Sequence, residues 1–232
     1  CSRQQMALTT WDDTVAAALA SELETGDWNA RRDALERLGR CPAARGDSRA
    51  VLLVQGQLAH GEPHVRRAAM AALVRLAAKE ASGAISESPA CASGDNSAIV
   101  AAVSTALRFI EDEDDGVRRV ALCALPEVVP RGEAAALAGA CARLGDEDDD
   151  VRAAAAVAVS KLAVNGDAEV QEKLVPLLED EDEGVRKNAV IAYAKLARPG
   201  DTSAAQRVAA LLRDEDDDVK RAAAQVLPRM RA

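Results

Sequence analysis

The sequence predicts an all-α fold, built as an array of about six units in which two helices are joined by a tight turn. Three observations predict it. One acidic cluster recurs: "DEDDDVR" at 146–152 returns as "DEDDDVK" at 214–220, and "DEDDGVR" and "DEDEGVR" begin at Asp112 and Asp180. The valine closing each cluster falls at Val117, Val151, Val185 and Val219, three successive intervals of 34 residues. A fixed period of that size marks stacked supersecondary units, none of which buries its apolar face alone. Finally, hydrophobic residues make up 49% of the chain and aromatics only 2%. Alanine, leucine and valine must therefore fill the interior, which suits thin layers of close-packed helices.

The first unit, about 11–42, puts Ala30 of "GDWNARRDALERLG" in the valine slot, and the second, about 48–80, puts Val65 of "GEPHVRRAAMAALVRLA" there. Those slots lie 35 residues apart, whereas Val65 to Val117 spans 52. The surplus lies in "ASGAISESPACASGDNS", 81–97, a Ser/Ala/Gly-rich stretch that reads as a surface loop inserted between units. The remaining units are expected at about 98–130, 133–164, 167–198 and 202–232, so that 1–232 forms a single array. Counted from the marker valine, the positions four, eight and eleven later are apolar almost throughout: Ala189, Tyr193 and Leu196 in one unit, Ala223, Leu227 and Met230 in the next. At 100° per residue these fall within about 80° on one helix face. A second amphipathic stretch precedes each cluster, as in "AEVQEKLVPLL" (168–178) and "AAQRVAALL" (204–212), and "NGD" (165–167) and "RPGD" (198–201) break one unit from the next.

The "D-x-x-x-x-V-R-x-x-A" core at this period resembles the HEAT-repeat family, in the short type also found in phycobilin-lyase-like proteins. The resemblance covers essentially residues 11–232. It implies a right-handed α-solenoid of paired helices, with the second helix of each pair lining the concave side. The first two units depart from the pattern, with Thr25 and His60 where later units carry Asp, so their turns are expected to be looser.

The acidic clusters do not read as calcium loops. An EF-hand needs a glutamate at position twelve, and counting from Asp112 or Asp180 reaches Cys123 or Ile191, both on helices. Carboxylates at the start of the second helix instead cap free N–H groups and meet the positive end of the helix dipole, each contact worth about 0.3–1 kcal/mol. The first Asp of each cluster can also meet the basic residue after the marker. In HEAT-like repeats that pair often extends to the neighbouring unit, which would link Asp112, Asp146, Asp180 and Asp214 with Arg118, Arg152, Arg186 and Lys220 in a ladder. That accounts for one or two acids per turn, yet the four clusters, with Glu111 and Glu179 just ahead of two of them, hold 20 of the 38 acidic residues. Stacked turns lie roughly 10 Å apart, comparable to a Debye length of about 8 Å at physiological salt. The clusters should merge into one negative edge, either solvated or offered to a basic partner.

On the expected concave side, the position two after the marker carries Arg32, Arg67, Arg119, Ala153, Lys187 and Arg221. The position ten after it carries Arg40, Arg75, Glu127, Lys161, Lys195 and Arg229. Between these rows stand mostly small or apolar residues, among them Cys123, Val157 and Ile191. The predicted surface is a shallow, partly apolar trough flanked by interrupted basic rows, suited to an acidic helix or extended segment of a partner protein.

Several functions are excluded or disfavoured. No run of about 20 apolar residues exists to span a membrane. The five cysteines, at 1, 41, 91, 123 and 141, contain no CxxC pair and read as reduced residues of an intracellular, most simply cytoplasmic, protein. The start, "CSRQQMALTT", reads as that of a processed or truncated chain. A net charge of −9 with four aromatic residues ill suits nucleic-acid binding. The two histidines, His60 and His64, flank Pro63 and lack the HExxH glutamate, and no nucleophile elbow or phosphate loop appears. No catalytic residue, metal or cofactor is therefore expected. The sequence reads as a non-catalytic scaffold or adaptor for protein partners, using a concave groove and an acidic edge. The alternatives are a bilin-lyase-type protein holding a chromophore in the trough, which the scarcity of aromatics disfavours, and a structural subunit of a larger assembly.

Overall fold

A computed structural model describes residues 10–77, 97–198 and 200–230. The described residues hold twelve α-helices and no strand: α1 Asp13–Thr25, α2 Trp28–Gly39, α3 Ser48–Gln55, α4 Pro63–Ala77, α5 Ser97–Phe109, α6 Asp115–Val128, α7 Ala134–Ala142, α8 Asp149–Leu162, α9 Ala168–Lys173, α10 Glu183–Leu196, α11 Thr202–Ala210 and α12 Asp217–Met230. Nearly all of the expected inserted loop, with Cys1 and Cys91, lies outside the described residues. Cys41 is buried, Cys141 half-buried and Cys123 exposed.

The chain divides into two compact units, Cys1–Phe109 and Ile110–Ala232. The division falls inside the segment expected as the third repeat, between α5 and α6. In the first unit α1 lies on α2 and α3 on α4, α2 packs closely on α4, and α5 lies on α4. In the second unit α6, α8, α10 and α12 stand side by side, with α7 on α8 and α11 on α12. The first helices of neighbouring repeats touch far less. Within each unit the second helices thus pack tightly against one another, with first helices laid against them.

Local chemistry sets the ends. Asp27, Asp114, Asp148, Asp167, Asp182 and Asp201 each cap a helix by accepting a backbone N–H three residues on. The stretch 168–178 departs from the single amphipathic segment expected. Helix α9 ends at Lys173 and a 3-10 turn, Pro176–Glu179, follows, because Pro176 has no N–H to continue the α ladder. Similar 3-10 turns, Arg143–Gly145 and Leu211–Arg213, tighten the chain before the clusters at Asp146 and Asp214.

Val117, Val151, Val185 and Val219 are all fully buried, as are Leu125, Val159 and Leu196 from the stripe, and each such side chain contributes about 1.5–3 kcal/mol on leaving water. Burial extends beyond the stripe. The residues five and seven after the marker, Leu122 and Ala124, Ala156 and Ala158, Val190 and Ala192, are buried too, whereas Ala224 is exposed and Val226 half-buried in α12. Helices α8 and α10 are therefore covered by their own first helices and by second helices on both flanks, and alanine at these flanks lets the backbones approach.

A row of glycines joins successive repeats at the opposite end from the acidic turns. Gly132, Gly166 and Gly200 have φ of +84°, +82° and +77°. Their N–H groups donate to the carbonyls of Leu162, Leu196 and Met230, at 2.7, 2.9 and 3.2 Å, which end the second helix of the following repeat. Gly46, at φ +72°, donates likewise to Leu76 in the first unit. Each left-handed residue satisfies a carbonyl that its helix leaves unpaired, and only glycine adopts that conformation without strain.

Candidate functional site

Each acidic cluster assigns different work to its members. The first Asp accepts the N–H of the third through Oδ1: Asp112 from Asp114 at 3.0 Å, Asp146 from Asp148 at 3.1 Å, Asp180 from Asp182 at 3.0 Å, and Asp214 from Asp216 at 2.9 Å. The third Asp caps the N–H of the marker valine, as Asp216 does for Val219 at 3.1 Å.

The arginine after the valine reaches two turns at once. Nη1 of Arg118 donates to the carbonyls of Asp112 and Glu113 in its own turn, while Nε and Nη2 grip the carboxylate of Asp146 in the next turn at 3.0 and 2.8 Å. Arg152 holds Asp180 in the same way, at 2.8 and 2.9 Å, and Arg186 holds Asp214, at 2.9 Å for both bonds. The side chains of Arg118 and Asp146 are 7% and 3% exposed, so this rung is screened from water. Burial raises the Asp146 and Asp180 carboxyls, but the hydrogen bonds from arginine and from the turn N–H outweigh it, and both lie below the ordinary value. For Asp214 the hydrogen bonds of Arg186 lead and the direction is the same. Lys220 pairs instead with Asp217, in its own helix, at 2.6 Å.

In the first unit other residues fill these roles. Arg31 donates to the carbonyls of Gly26 and Glu24 and to Oε1 of the buried Gln57 at 3.1 Å, so Gln57 stands where a later repeat supplies Asp. His60 accepts the N–H of Glu62 through Nδ1 at 3.0 Å, the bond that the first Asp makes elsewhere, and Arg66 donates to the carbonyls of His60 and Gly61. His64 stacks on Trp28 with ring centroids 5.4 Å apart. The histidines therefore do structural work. Nothing in the spacing marks Gln57 for its role, since it stands three residues before the aspartate slot.

The second and fourth members of the clusters at Asp146 and Asp180 face water. Between the turns of α8 and α10 these acids, Glu147, Asp149, Glu181 and Glu183, line an open cleft of about 480 Å³ together with the capping Asp148 and Asp182. Among the described residues, no three His, Cys, Asp or Glu side chains converge as a metal site would require.

On the second-helix face of the second unit, the position six after the marker is exposed in each repeat: Cys123, Val157, Ile191 and Gln225. Val157 and Ile191 are 36% and 43% exposed. The flanking basic rows are largely matched from within: Arg119 stands 3.9 Å from Asp150, Lys161 3.4 Å from Glu127 and Lys187 3.3 Å from Asp218, which also meets Arg221 at 2.5 Å. Lys195 and Arg229 have no acidic group within ion-pair distance among the described residues. Partial burial, with the positive charges of Arg131 and Lys161, holds Lys195 below the ordinary lysine value. In the first unit Arg67 is half-buried and Arg75 exposed on α4.

No helix of the described residues is long and apolar enough to cross a membrane. None of the curated proteins matches the chain. Residues 156–228 match the family described as HEAT repeats. Among solved structures, an engineered protein is 23% identical with a TM-score of 0.62, over 95% of this chain and 99% of that one. A designed armadillo repeat protein, solved in complex with the peptide (KR)4, is 20% identical with a TM-score of 0.60 over 92% and 98%. An archaeal HEAT-like repeats protein from Thermococcus onnurineus is 14% identical with a TM-score of 0.57 over 94% and 88%. Residues 156–228 are thus similar to HEAT repeats, and the chain has the all-α repeat fold seen in the solved armadillo and HEAT-like structures.

Proposed function

We propose that the chain is a non-catalytic scaffold that holds a segment of a partner protein along its second-helix face, the concave side expected of this fold. The acidic turns form a rim that steers and orients the partner. The observation that carries this reading is the exposed row Cys123, Val157 and Ile191, apolar surface on helices whose other apolar residues are buried or half-buried. Arg119, Lys161, Lys187, Lys195, Arg221 and Arg229 flank it, and Arg67 and Arg75 hold the corresponding positions on α4. The designed armadillo protein solved with a peptide supports the use of such a stack as a peptide platform. The pairing of Arg119, Lys161 and Lys187 with acids of adjacent repeats reduces their net pull, so apolar contact supplies affinity and the charges supply register.

Affinity capture from native extract tests this, with the intact chain as bait beside Val157→Asp and Cys123→Asp. Both positions are exposed, so both variants should keep the wild-type circular dichroism and unfolding midpoint while losing the captured partner. Unchanged recovery by both variants removes the second-helix face as the working surface.

A further inference from the structure

At the C-terminal ends of α10 and α12 the second-helix face deepens into a groove of about 330 Å³, near the lower end of the roughly 300–1,000 Å³ typical of ligand sites. Its floor is apolar, formed by Ile191, Val226 and Met230, and its rim is cationic, formed by Lys195, Arg198 and Arg229. We propose that this groove is the specificity pocket of the scaffold, and that it takes an aliphatic side chain of the partner flanked by aspartate or glutamate. The inference rests on the scaffold reading and names the partner's chemistry.

The argument is one of charge complementarity against the repeating background. Ten residues after the marker stand Glu127, Lys161, Lys195 and Arg229. Glu127 matches Lys161 across adjacent helices at 3.4 Å, but the next pair along the row is two cations with no acid between them. Arg198 gives its guanidinium to the carbonyl of Gly166 at 3.4 Å, a neutral acceptor that leaves the positive charge uncompensated. On a chain of net charge −9, three cations gathered around an apolar floor form a local reversal of sign. A carboxylate on either side of the entering side chain would meet Lys195 and Arg229, and the aliphatic group would cover the floor. A basic segment would meet like charge at the rim and is selected against.

Fluorescence anisotropy with the full chain tests the proposal. The probe is a fluorescein-labelled peptide of Asp and Glu with one central leucine. Its comparators are the same peptide with serine for leucine and a Lys/Arg peptide carrying the leucine. Saturable binding of the acidic leucine peptide is expected, weakened about tenfold or more by the serine replacement, by Val226→Asp, or by Lys195→Glu with Arg229→Glu. The two protein variants should keep the wild-type circular dichroism. Absent binding, affinity unchanged in both variants, or tighter binding of the basic peptide overturns the proposal. Self-association of the wild-type chain that the charge reversal abolishes would also overturn it, placing a second copy in the groove. If the peptide fails while Val157→Asp still abolishes partner capture, the scaffold reading stands and the pocket assignment falls.

Discussion

Replacing Asp146 by alanine removes one rung of the arginine ladder and measures what couples neighbouring repeats. The carboxylate takes both prongs of Arg118, at 3.0 and 2.8 Å, and the N–H of Asp148 at 3.1 Å. Breaking a buried ion pair by deleting one partner costs about 3–5 kcal/mol. The loss here should fall at or just below that range, at about 2–3 kcal/mol, because Arg118 keeps the carbonyls of Asp112 and Glu113 and the carboxylate of Glu147 stands 3.7 Å from Nη2. With a urea m-value of about 1–3 kcal/mol/M, the midpoint followed by circular dichroism at neutral pH should drop by about 0.7–3 M. Lys220→Ala removes the residue at the equivalent position, whose pair with Asp217 is exposed, and should leave the urea midpoint close to that of wild type. A cycle pairing Asp146→Ala with Arg118→Leu should show coupling above about 1 kcal/mol. Additive single losses, or an Asp146→Ala variant within about 0.5 kcal/mol of wild type, would refute the claim that the rung holds two repeats together.

Two further outcomes follow from the geometry. Asp146, Asp180 and Asp214 all titrate below the ordinary carboxylate value, and Asp47 is held at about 2, chiefly by the hydrogen bonds of Arg49. A depressed carboxyl stabilises the fold fully above its unfolded value of about 3.9 and loses that contribution as pH falls through the folded value. Stability should therefore hold down to about pH 5 and fall below about pH 4, and changing the three ladder aspartates to asparagine should flatten that limb in urea titrations across pH. A triple variant with the full acid loss would count against the ladder. At the other end of the repeats, Gly132→Ala and Gly200→Ala should each cost about 1–2 kcal/mol from backbone strain alone. The added methyl group would meet only Cγ2 of Val164 at 3.5 Å in the first case and nothing within 4 Å in the second. Gly145→Ala, also with open space around it and without a positive φ, should be neutral in thermal unfolding.

The repeat was legible because its signals are local. The stripe at Val185, Ala189, Tyr193 and Leu196 and the capping acids act within one helix, so their spacing along the chain is their spacing in space. The glycine row was visible only as breakers: "NGD" and "RPGD" announce a turn, but not that the turn's N–H satisfies the helix of the following repeat. Gln57 and His60 were opaque for the same reason. Their partners, Arg31 and the N–H of Glu62, are met through a neighbouring repeat in one case and through a turn geometry that aspartate normally makes in the other.

By itself the sequence determined the period, the central buried stripe of each second helix and the acid-rich turns, since these depend on patterns that a single helix and turn can express. Only the tertiary structure decided which aspartate each arginine grips, 28 residues on in the next turn. It also decided which cations are neutralised by neighbouring repeats and which, at Lys195 and Arg229, are left for something else. Charge pairing depends on the distance between stacked helices, and that distance is a property of the packed layer rather than of spacing along the chain.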